Sequence, residues 1–161
     1  MRWRMTNIEY DQFGALVVVD VQCGFEAASK VIDACRKLII EKVNLHEPIF
    51  IVEYLGFGET YGELTRPLMK YPQAYFLRKN DMDGSLEVYN ACSRANLPQH
   101  ISHFDVCGVY KNDCVLATVL GMLGRFSDKT KFIAHIDAMN SCQPTSPMWD
   151  RLEPQVRLSG V

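Results

Sequence analysis

Ala15-Leu16-Val17-Val18-Val19-Asp20 is the stretch on which the fold turns. Five apolar residues follow one another without alternation, and three of them are valine. A strand open to water on one face alternates apolar and polar residues. An unbroken β-branched run belongs to a strand covered on both faces, as in a parallel sheet. Similar runs recur outward from it: Pro48 to Tyr54, Ala74 to Leu77 ending at Lys79, His103 to Tyr110, Lys131 to Asp137, and Gln155 to Leu158. Helical patterns separate them. Val31, Ile32, Cys35, Leu38, Ile39 and Val43 recur at helix spacing within Ser29 to Val43. Ser85 is placed to cap a helix running to about Ala95. Asn112 is placed to cap another, with Val115, Leu116, Val119, Leu120, Met122, Leu123 and Phe126 on its apolar face and Gly124 at its end. Ser146-Pro147 reads as a cap with proline at the first helical position. Gly56 to Tyr71 is irregular, with one short helix around Leu64 to Met69. Strands alternating with helices imply an α/β domain built on a parallel sheet with crossover connections.

The bulk properties agree. A chain of 161 residues fits a single domain spanning 1–161, and a domain of that size buries roughly 70% of its unfolded surface. Apolar residues make up 48% and charged residues 22%, an ordinary globular balance. The net charge of −2 gives no sign of a nucleic-acid or anionic-membrane partner. No apolar run reaches the ~20 residues needed to cross a bilayer. Polar residues follow the basic start Met1-Arg2-Trp3-Arg4, which argues against a secretory leader and for the cytoplasm. The six cysteines have neither C-x-x-C nor zinc-ligand spacing, so no metal is expected.

In open parallel sheets, ligands bind beyond the carboxyl ends of the strands. The polar residues there are Asp20, Glu53, Lys79, Lys111-Asn112-Asp113-Cys114, and Asp137. With Asn112 as cap, Cys114 is the second residue of its helix. Unsatisfied N–H groups and the helix dipole would then favour its thiolate. A neighbouring Lys79 would favour it further, and Asp20 could carry a proton. A cysteine at a helix start is more often inert than reactive; it is the threefold convergence that points to nucleophilic chemistry.

Those residues also form a pattern. Val17-Val18-Val19-Asp20-Val21-Gln22 with Phe25, Phe76-Leu77-Arg78-Lys79, Val106-Cys107-Gly108-Val109 with Asp113-Cys114-Val115-Leu116-Ala117-Thr118, and Ile136-Asp137-Ala138 resemble the successive motifs of the isochorismatase-like superfamily. The resemblance runs from about Ala15 to Ala138. It implies a three-layer Rossmann-like fold with a six-stranded parallel sheet in the order 3-2-1-4-5-6 and helices on both faces. It implies a catalytic triad of Asp20, Lys79 and Cys114, a cis Val109–Tyr110 peptide, and an oxyanion hole made by the backbone N–H groups of Tyr110 and Cys114. Gln22, Phe25 and Lys111 become the candidate substrate contacts. Members of this superfamily hydrolyse amides and related C–N bonds of small molecules, and Cys114 points to its cysteine-hydrolase branch. No cofactor is implied; a homo-oligomer is.

The chain departs from the family pattern in places. Lys111 stands where threonine is common, Cys23-Gly24 replaces x-D, and Ser85 stands where an aromatic often follows the lysine. Leu55 to Met69 lacks the histidines of the zinc-dependent nicotinamidases. A binding or assembly module that kept the fold without turnover is therefore the alternative. A flavodoxin-like nucleotide module is weaker still, because there is no phosphate loop. Gly56-Phe57-Gly58-Glu59-Thr60-Tyr61-Gly62 has its third glycine one place late for a dinucleotide fingerprint. Asn80 to Gly84 lacks the carboxylates of a calcium loop. The four histidines, His46, His100, His103 and His135, are scattered in sequence, and the aromatics form no basic surface for single-stranded nucleic acid.

Overall fold

The computed structural model describes residues 13–97, 101–140 and 143–160. The basic start at Met1 to Arg4, His100 and Cys142 lie outside them. Six parallel strands form one sheet: β1 (Gly14–Val19), β2 (Ile49–Tyr54), β3 (Ala74–Lys79), β4 (His103–Val109), β5 (Lys131–Asn140) and β6 (Val156–Ser159). Their order is β3-β2-β1-β4-β5-β6, as the resemblance implied. The direction of strand order reverses between β1 and β4, so these two strands flank the switch point.

The valine run sits where its composition requires, buried along its whole length. Ala15, Val17 and Val19 face one layer, with Phe50, Phe104, Val106 and Phe132. That layer is closed by α3 (Ser85–Arg94), α4 (Leu116–Arg125) and Trp149. Leu16 and Val18 face the other, with Ile49, Ile51 and Cys107, under α1 (Ile32–Asn44) and the short α2 (Gly62–Thr65). Burying each such side chain is worth about 1.5–3 kcal/mol.

Where β1 and β4 meet, Gly108 has φ +122°, and a Cβ there would overlap the Val19 backbone. The close approach requires glycine at that position.

Several boundaries differ from those expected. Ser85 does not cap α3; Gly84 is the N-cap residue, and Asp83 Oδ1 accepts the Ser85 N–H at 2.7 Å. Asn112 does not cap α4 either. Its amide donates to Pro144 O at 2.7 Å and its Oδ1 accepts Ser146 N–H at 2.9 Å, so it ties down the loop after β5. The chain enters α4 through a wide π-type turn, Lys111–Val115, and Cys114 is its fourth residue. Gly124 lies inside α4, not past its end. Ser146 is a true cap, its hydroxyl accepting from Met148 N–H at 3.2 Å. The irregular segment after β2 holds α2 and a 3-10 turn at Arg66–Leu68, close to the short helix expected there.

Candidate active site

Asp20, Lys79 and Cys114 come from three separate strand ends and meet beyond the switch point. Asp20 leaves β1 with φ 55°, a left-handed conformation that aspartate tolerates better than most residues. Lys79 closes β3, and its Nζ lies 3.1 Å from Asp20 Oδ2. The same ammonium donates to Met82 O at 2.6 Å and sits 4.6 Å over the Tyr54 ring. The Cys114 thiol is within interacting reach of both the carboxylate and the ammonium.

The cluster is sealed. The Asp20 and Lys79 side chains are 1% and 0% exposed, and Cys114 is 6% exposed. Neither Asp20 oxygen receives a well-aligned hydrogen bond, although Lys79 lies at contact distance. Burial therefore dominates Asp20 and raises its pKa, while Lys79 and Cys114 pull it back only in part. Burial, and then the Asp20 charge, push the Cys114 thiol up to about 12 against the opposing effect of Lys79. The sequence suggested the reverse, a thiolate favoured at a helix start. The enclosed position and the adjacent carboxylate reverse it, so the resting sulfur carries its proton.

A series of aromatic rings adjoins Lys79. Phe57 meets the Tyr54 ring edge-on at 5.1 Å and stacks on Phe25 at 4.4 Å, and Phe25 meets Tyr110 edge-on at 5.7 Å. This chain of four rings runs from Lys79 to the Cys114 turn. Gly56 and Gly58, with φ of 90° and 80°, flank Phe57.

The remaining sequence candidates fall in different places. The Val109–Tyr110 peptide is cis. The Tyr110 carbonyl accepts from the Asp113 and Val115 amides at 3.0 and 3.2 Å. Phe25 is one of the four rings. Gln22 is wholly buried and does not face the cluster: its Nε2 donates to Tyr54 O and Gly58 O at 2.9 and 2.8 Å, and its Oε1 accepts Tyr54 N–H at 2.7 Å. Its amide thus anchors the loop that carries Phe57. Lys111 extends outward and donates to Thr145 Oγ1 at 2.8 Å.

The histidines hold a second surprise. His103 and His135, distant in sequence, both reach Asp105, His135 Nε2 at 2.6 Å and His103 Nε2 at 3.4 Å. Lys42 completes this group, bonding Asp105 Oδ2 and Glu47 Oε1 at 2.7 Å each. The sequence did carry a signal for it. Lys42 falls on the buried stripe of α1, three residues after Ile39 and seven after Cys35. Among the described residues no group of three or more His, Cys, Asp or Glu side chains could hold a metal ion.

A doubly wound sheet in this strand order is also the fold of several solved structures. The solved structures it resembles include a nicotinamidase from Staphylococcus aureus, at 20% identity over 82% of this chain and 86% of that one, with a TM-score of 0.69. An N-carbamoylsarcosine amidase from Thermoplasma acidophilum matches at 20% identity over 91% of this chain and 95% of that one, TM-score 0.71. A ribonuclease from Caenorhabditis elegans matches at 21% identity over 80% of this chain and 65% of that one, TM-score 0.67. Likeness at this level establishes the fold, and the range of activities shows that the fold does not choose among them. No protein-family model matches the chain, and no curated protein matches it by sequence.

Proposed function

We propose that the protein is a hydrolase that cleaves an amide or related C–N bond of a small molecule through a covalent Cys114 intermediate. The observation that carries this reading is the sealed meeting of Asp20, Lys79 and Cys114, with a carboxylate left short of hydrogen bonds beside a protonated thiol. The carboxylate thus stands as a base within reach of the thiol, with the lysine beside both. The amidases among the similar structures support the same chemistry.

With the thiol held near 12, little thiolate exists at neutral pH, and its proton must leave as sulfur attacks. Asp20 takes that proton, its raised pKa making it the stronger base. The S–C bond forms and the carbonyl becomes an oxyanion, received by the N–H groups of Tyr110 and Cys114. Lys79 offsets the charge that develops at sulfur. Asp20 then gives the proton to the leaving nitrogen as the C–N bond breaks, which leaves a thioester. Water attacks that thioester with Asp20 as base, releasing the acid and restoring the thiol. The enclosed position of the cluster favours a small substrate. No cofactor enters the scheme. By resemblance the protein works as a homo-oligomer in the cytoplasm, and Leu45, Met69 and Phe76 leave exposed apolar surface for assembly.

The closed cluster also fits a second reading, a module that keeps the fold without turnover. Intact-mass spectrometry after mixing with a panel of small amides, nicotinamide and carbamoyl compounds among them, separates the two. The hydrolase reading expects an acyl adduct on Cys114 and a loss of kcat on the order of 10⁴-fold or more in Cys114→Ala. Absence of both adduct and turnover across the panel, with partner binding intact in Cys114→Ala, would establish the module instead.

A further inference from the structure

Lys79 is aimed by the turn that follows it, and that turn is held by the helix that Cys114 introduces. The ammonium donates to Met82 O at 2.6 Å. Two residues on, Gly84 N–H donates to Thr118 Oγ1 at 3.0 Å, in a buried bond across 34 residues of sequence. Thr118 is wholly buried, yet its hydroxyl faces this turn. One turn further along α4, a Cβ at Gly121 would overlap the Asp83 carboxylate and Ser85 Oγ. A further turn along, Arg125 Nε donates to Ser85 Oγ at 2.9 Å. Positions 118, 121 and 125 share one stripe of α4. The turn is tight against the lysine itself: a Cβ at Gly84 would lie 3.2 Å from Lys79 Cδ and 3.0 Å from Val52 Cγ1.

We propose that Thr118 is a positioning residue for Lys79: through Gly84 it fixes the 82–85 turn, so that the Met82 carbonyl holds the ammonium beside Asp20 and Cys114. The helix that begins just after the sulfur thereby also sets its cation, and the two keep their spacing as one rigid body. The inference rests on reading Lys79 as a partner of the Cys114 thiol, but its test needs no turnover.

The probe is chloroacetamide alkylation of Cys114, followed by peptide mass mapping of that residue across a pH series, since Cys23 is exposed and also reacts. Thr118→Val keeps the shape and removes the acceptor of the Gly84 N–H. It should displace Lys79, disfavour the thiolate and slow alkylation at pH 8 by about three- to tenfold, an upward shift of up to about one pH unit in the profile. Thr118→Ser keeps the hydroxyl and should restore the wild-type profile. Gly121→Ala presses on the same turn without removing a polar group, and it serves even where Thr118→Val folds poorly. It should slow alkylation in the same direction. Lys79→Met marks the limit: if it leaves the profile unchanged, the reading of Lys79 as a thiol partner fails, whatever Thr118 does. If Lys79→Met shifts the profile, then unchanged profiles in Thr118→Val and Gly121→Ala, or no recovery in Thr118→Ser, overturn the positioning role alone.

Discussion

Among the described residues two lysine–aspartate pairs are buried, and they differ in nearly every respect but composition. Lys42 and Asp105 lie 2.7 Å apart, with Glu47, His103 and His135 completing their hydrogen bonds. Glu47 in turn accepts the Gly14 N–H at 2.6 Å. Lys79 and Asp20 lie 3.1 Å apart, and the Asp20 oxygens lack well-aligned donors. Burial alone would raise both carboxylates. For Asp105 the hydrogen bonds from His103, His135 and Lys42 outweigh it and hold the group well below the usual range. For Asp20 burial prevails and the pKa rises. A saturated pair is a strut, and an unsaturated one keeps a base that can still take a proton. The same residue types thus serve structure at one place and reactivity at another, according to how many donors reach the oxygen.

The largest test of this contrast removes each lysine. Lys42→Met leaves Asp105 and Glu47 buried without their cation and should cost about 3–5 kcal/mol, measured by urea unfolding. That corresponds to a fall in Tm on the order of 10 °C for a domain of this size. Lys79→Met should cost less than half as much, because burial has already raised the Asp20 pKa and its carboxyl can take up a proton when the cation is lost. Equal losses would break the distinction.

Acid titration offers a smaller test with opposite signs. The folded pKa of Asp105 is depressed, so its contribution is complete above the unfolded value of about 3.9 and is lost as pH falls below it. The folded pKa of Asp20 is raised. The folded state holds that proton longer than the unfolded chain, and stability declines as pH rises from the unfolded value of about 3.9 through the raised one. Urea midpoints between pH 3 and 7 should therefore rise less steeply in Asp105→Asn than in the wild type, and more steeply in Asp20→Asn. Parallel curves would mean that the two carboxylates are alike.

Much of this was legible in the sequence. The valine run could belong only to a strand covered on both faces, and the chemistry-bearing residues stood at strand ends because that is where a parallel sheet presents them. Three things were not legible. The protonation state of Cys114 depends on enclosure, which no spacing reveals. Asn112 had the composition of a cap, but its side chain bonds a loop 32 residues away at Pro144. Gln22 lies two residues past Asp20, whose φ is left-handed, so the alternation of strand faces does not carry on to say where its amide points.

The smallest effects belong to the exposed bonds near the Cys114 turn, which calibrate the buried ones. Asn112→Ala should cost about 1 kcal/mol through the loss of its two bonds to the 144–146 loop. Lys111→Met should stay within about 0.5 kcal/mol of the wild type and leave the alkylation rate of Cys114 unchanged. A clear change in that rate would mean that Lys111 reaches the sulfur, and that the reactive cluster has four members.

Gly108 gives the arrangement its gauge. β1 delivers the carboxylate one residue past Val19, and β4 delivers the sulfur six residues past the glycine that Val19 faces. Even a single methyl group there would meet the Val19 backbone and act as a wedge at the rung beneath both. The clearance between acid and nucleophile is thus fixed by an atom the protein omits, and lineages that drift at this position would lose the alignment of their reactive groups even while the sheet still assembled.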